Sequence, residues 1–82
     1  MTGFLVEYHR PSGDWYVRAF EGENGAREAM LERFRLEELR ASADFEIAVL
    51  IADSLETIKK THSRYFGGRE REAEFSLLPI AA

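Results

Sequence analysis

A chain of 82 residues is enough for a single domain, and a core of this size gives only modest stability. With no cysteine it has no disulfide, no thiolate metal ligand and no cysteine nucleophile, which favours a reducing, cytoplasmic setting. A net charge of −4 argues against a generally basic nucleic-acid binder. No apolar run approaches the about 20 residues needed to cross a bilayer, so a soluble protein without a membrane partner is expected.

Taken in chain order, Phe4, Val6 and Tyr8 alternate with Leu5, Glu7 and His9, the period of a half-buried strand. Pro11 and Gly13 follow as a turn, and Trp15 to Phe20 reads as a second strand, so the simplest pairing is an antiparallel hairpin. From Gly25 to about Leu39, apolar residues at Ala26, Ala29, Met30 and Phe34 recur at helical spacing, with Asn24 as the expected N-cap. "FEIAVLIA", Phe45 to Ala52, is almost uninterrupted and apolar. It reads as a strand covered on both faces and therefore central in its sheet. Asp53 and Glu56 have the spacing of a capping box, and a second helix is expected from Ser54 to about Tyr65, closed by Gly67 and Gly68.

The order is β-β-α-β-α, an α+β two-layer sandwich in which both helices can lie on one sheet face. Residues 1–68 form the expected domain. Residues 69–82 form a C-terminal tail, charged at first and then apolar, that can serve as a short fourth strand or as a docking segment.

Five basic residues, Lys59, Lys60, Arg64, Arg69 and Arg71, crowd together against the single acid Glu70. Cations in the last turns of a helix are favoured by its dipole, and Lys60 lies four residues after Glu56, so solvated charge accounts for much of the cluster. The functional alternative is a phosphate-binding patch for nucleic acid or another phospholigand, with Tyr65 or Phe66 as stacking rings. On a helical wheel, however, Leu55, Ile58, His62, Tyr65 and Phe66 share one face, which places the rings and His62 inward.

Nothing assembles a catalytic set. Ser54 and His62 are about 12 Å apart along a helix, and "GENG" before the first helix lacks the lysine and hydroxyl of a phosphate loop. His9 and His62 have no ligand spacing around them, so neither a metal nor another cofactor is expected. No stretch carries a family-specific motif.

Apolar bulk on both faces of the second strand, and in the tail, points instead to protein contact. The expectation is a small non-catalytic interaction module, homo-oligomeric, using Trp15, Tyr16 and Phe20 on the hairpin with Phe75, Leu77 and Leu78 in the tail.

Overall fold

Strand β1 (Thr2–His9) pairs antiparallel with β2 (Trp15–Phe20), from Gly3 opposite Phe20 to Tyr8 opposite Trp15. This is the expected hairpin, seen in a computed structural model that describes residues 1–77. Gly13 takes φ of 78° in the connecting turn, a conformation that side chains disfavour, and its N–H returns to the His9 carbonyl. Helix α1 (Gly25–Leu39) and strand β3 (Phe45–Ala52) fall on the residues the pattern predicts. Helix α2 (Leu55–Thr61) and a 3-10 turn (Ser63–Tyr65) complete the β-β-α-β-α order.

The strand order is β2-β1-β3, with β1 antiparallel to both neighbours. The central strand is therefore β1, not β3. Glu7 disguised it, because a carboxylate in the middle of a strand normally reads as solvent-facing. Here Glu7 is 1 % exposed and accepts the backbone N–H groups of Phe75 (3.1 Å) and Ser76 (2.8 Å). The uninterrupted apolar run belongs to an edge.

Both sheet faces are covered. On the face of Leu5, α1 buries Leu36 against Leu5, Phe45 and Ile47, making the two-layer sandwich with the sheet. On the opposite face, Ile58 of α2 packs with Phe4 and Ala52, joined by Val17, Leu50 and Phe66. The helices therefore do not share a face. Adjacent residues Phe4, Leu5 and Val6 are each 5 % exposed or less, and only cover on two sides achieves that.

Helix α2 is shorter than its wheel suggested. Ser54, not Asp53, is its N-cap, accepting from the Thr57 N–H at 3.2 Å. At the other end, the Thr61 hydroxyl bonds the Thr57 carbonyl (3.1 Å) and lies 2.9 Å from His62 Nδ1. His62 then leaves helical geometry at φ −128°, ψ 46°. The following turn points Tyr65 and Phe66 inward as expected, but His62 faces solvent, which corrects its placement among the core residues. Gly67 and Gly68 do not cap this helix. Gly68 lies against the hairpin turn, where an added Cβ would overlap the Gly13 carbonyl, and its own carbonyl accepts from Trp15 Nε1 at 3.1 Å.

Residues 69–77 fold back on the domain. Trp15 N–H donates to the Arg69 carbonyl (3.0 Å) and Arg71 N–H to the Trp15 carbonyl (2.6 Å), an isolated parallel bridge rather than a fourth strand among the described residues. Phe75 sits in the α1-side core, edge-on to Phe45 at 5.2 Å.

Candidate functional site

Backbone direction along β3 decides what its outer edge offers. The His9 N–H turns to Asp14 and the Arg10 N–H to Asp44, each at 2.9 Å. Antiparallel ladders alternate, so the pairs Tyr8–Glu46, Val6–Ala48, Phe4–Leu50 and Thr2–Ala52 exchange the β1–β3 bonds. Phe45, Ile47, Val49 and Ile51 consequently point their N–H and C=O groups away from the sheet. Phe45 is satisfied: its N–H reaches the Ser42 carbonyl (3.3 Å) and Arg40 Nη1 donates to its oxygen (2.9 Å). Ile47, Val49 and Ile51 have no such partner among the described residues, which leaves three donors and three acceptors in a row.

Part of this row borders an open cleft of about 430 Å³ that runs beside Ile47, Ala48 and Val49. Arg33, Glu37 and Arg40 of α1 wall it on one side, and Arg10, Glu46 and Tyr65 on the other. Arg33 and Glu37 are joined at 2.7 Å. On the far wall Glu46 is held by Arg64 Nη2 at 2.7 Å, by Arg10 Nε at 3.4 Å and by a short hydrogen bond from the Tyr65 hydroxyl. Burial opposes ionisation of Glu46, but the bonds from Tyr65 and Arg64 and the nearby positive charge outweigh it and hold the carboxyl below its usual value. Burial, then donation to Glu46, pushes the Tyr65 hydroxyl up to about 12. This wall is thus a locked ionic cluster. Two large apolar side chains nearby are open: Ile51, toward the end of the strand, is 53 % exposed, and Phe34, in a separate groove on α1 with Glu37 and Arg40, is 56 % exposed.

The opposite edge of the sheet is shorter and partly closed. The tail bonds both backbone groups of Trp15, and on β2 only Val17 and Ala19 turn outward beyond it.

The residues singled out from the sequence land mainly inside the protein. Trp15 is 4 % exposed, with Phe66 edge-on at 4.8 Å and Lys59 Nζ 5.2 Å from the ring centre. Phe75 is core, while Tyr16, Phe20 and Leu77 are half-buried against the same cluster. Leu78 lies outside the described residues. In the folded chain Trp15, Tyr16, Phe20, Phe75 and Leu77 bind the domain to itself, because Glu7 and Trp15 give the tail an internal seat that periodicity does not reveal.

The basic cluster is divided in the same way. Arg64 is committed to Glu46, Arg71 pairs with Asp14 at 3.1 Å, and Lys59 covers Trp15. Lys60 and Arg69 are exposed. His9 bonds Ser12 Oγ on the hairpin turn through Nδ1 at 2.7 Å, whereas His62 ends α2 with its Nδ1 2.9 Å from the Thr61 hydroxyl. Among the described residues no three His, Asp or Glu side chains come together as metal ligands, and no helix is long and apolar enough to cross a membrane.

The edge residues Ile47, Val49 and Ile51 were missed as a site, although the signal was present. A strand of this hydrophobicity at an edge lacks the lysines, prolines or bulges that usually blunt one. Compared with known proteins, the chain matches no family model, no curated protein and no solved structure.

Proposed function

We propose that this protein is a small, non-catalytic protein-contact module that works by receiving a strand along the outer edge of β3, and that it does so as a homo-oligomer. The observation that carries the reading is the row of outward backbone groups at Ile47, Val49 and Ile51, which begins in an open cleft and ends at the exposed side chain of Ile51. Strand addition uses main-chain bonds for affinity and alternate side chains for fit. Unpaired edges recruit partners when nothing covers them. The hairpin and tail residues have a supporting role: by closing the core and part of the β2 edge, they leave β3 as the longer open edge among the described residues.

Phosphate binding through the basic cluster has weaker support, because Arg64 and Arg71 already hold carboxylates within the fold. The cytoplasmic setting suggested by the absence of cysteine is compatible with the contact reading.

Light scattering across a range of concentrations tests the proposal on the intact chain and on Ile51→Lys. That position is exposed, so a lysine there leaves the core intact while placing charge on the edge. The expected result is a concentration-dependent dimer for the native chain and a folded monomer for the variant. A native chain that stays monomeric at high concentration, or a variant that associates equally well, contradicts it.

A further inference from the structure

We infer that the strand received by β3 is β3 of a second copy, antiparallel and with Val49 opposite Val49, so that two domains join as one six-stranded sheet. The inference rests on the edge reading above and adds which strand of the second copy is received, the symmetry and the register.

The register follows from counting the backbone groups. A hydrogen-bonded antiparallel pair needs both residues to point toward the seam. A shift by a single residue therefore sets outward groups against inward ones. With Val49 on the two-fold axis, Ile47 meets Ile51 of the other copy and Ile51 meets Ile47. All three outward donors and all three outward acceptors of each copy are then used. A shift by two residues in one direction sets Ile51 against Phe45, whose carbonyl is held by Arg40 and whose N–H is held by Ser42. A shift by two in the other direction sets Ile47 against Asp53, beyond the end of the strand.

Side chains agree with this register. Residues directly opposite in a sheet lie on the same face. Ile47, Val49 and Ile51 of the two copies then form one apolar row under α1, and Ala48 and Leu50 form another on the far face. The only charged residue of the strand, Glu46, falls opposite Ala52, so no like charges meet between the two strands themselves. Both α1 helices lie on the same side of the joined sheet. If each sits over its own β1, three strand spacings separate them, about 14 Å. Packed helices approach to about 8–10 Å, which leaves a gap for long side chains. Arg33, Glu37 and Arg40, which line the cleft from the α1 side, are the side chains that face it.

The chain contains no cysteine, so single cysteines report the register directly. Opposed hydrogen-bonded residues have Cα atoms about 5.5 Å apart, within the about 4.4–6.8 Å span of a disulfide. Four residues of offset give about 14 Å, well outside it. Under mild oxidation at fixed low protein concentration, Val49→Cys is expected to convert to covalent dimer at least tenfold faster than Ala19→Cys on the β2 edge. Ile47→Cys and Ile51→Cys alone are expected to match that slow control, yet to cross-link rapidly with each other when mixed. Rapid self-linking of Ile47→Cys or Ile51→Cys, with Val49→Cys slow, overturns the register while leaving strand addition at β3 in place. Rapid linking of Ala19→Cys alone moves the seam to β2 and overturns both. Uniformly slow linking, with an intact chain that scatters as a monomer, removes the homo-oligomeric edge itself.

Discussion

Tyr65 illustrates how a residue read as an inward ring acquires a second role through its hydroxyl. The ring is buried edge-on to Tyr8 at 5.4 Å, and its hydroxyl donates to Glu46 while accepting from Arg64 Nη2 at 2.8 Å. Tyr65→Phe keeps the ring and removes the link, leaving Glu46 to the arginines. Hydrogen bonds to charged groups contribute about 1.5–3 kcal/mol, so a loss of about 2 kcal/mol in denaturant unfolding is expected. The pH dependence has a definite sign. Tyr65 titrates near 10 in an unfolded chain and at about 12 in the fold, so the folded state holds the proton more tightly. The resulting stability is complete below pH about 10 and is lost as pH rises through about 12. Glu46 behaves oppositely: its carboxyl is lowered, so its contribution is present above the usual carboxylate range and disappears as pH falls below it. Thermal melts of native and Tyr65→Phe protein from pH 8 to 12 should converge at the alkaline end. Parallel curves with no convergence would mean that the link contributes no proton-coupled stability. The inward direction of this ring was legible from the wheel. Its hydroxyl partner was not, because Glu46 lies 19 residues away on another element.

At the scale of elements, periodicity located the strands and α1 almost to the residue, since each has a one-sided or alternating pattern that local sequence contains. Strand order was not legible, because it depends on which strand can bury both faces, and that was decided by Glu7 and its tail partners. The alternation of backbone direction along β3 has a sharp mutational consequence. Val49 donates outward, so Val49→Pro removes no ladder bond and should leave a folded domain that no longer associates. Ala48 donates to β1, so Ala48→Pro cuts a bond at the centre of the sheet and should abolish cooperative unfolding. Circular dichroism melts of the two variants separate these outcomes. Equal loss of structure in both would contradict the assigned backbone directions.

For the whole molecule, residues 69–77 of the tail are tied into the body of the domain. Phe75 fills the α1-side core, Glu7 takes two tail N–H groups, Arg71 pairs with Asp14, and Trp15 is bridged to Arg69 and Arg71. Removing residues after Gly68 is therefore a test of folding rather than of assembly. The aromatic and apolar residues that suggested an interface are largely those a domain of 82 residues needs to close a core on both sides of a sheet. The apolar surplus remains along β3, and it was partly legible as an uncharged run without being recognised as an edge. Amide hydrogen exchange, read residue by residue at low and high protein concentration, examines that edge most directly. At low concentration the N–H groups of Ala48 and Leu50 should be protected while those of Ile47, Val49 and Ile51 exchange fast, and at high concentration all five should be protected. Fast exchange at Ile47, Val49 and Ile51 at every concentration would contradict strand addition at β3.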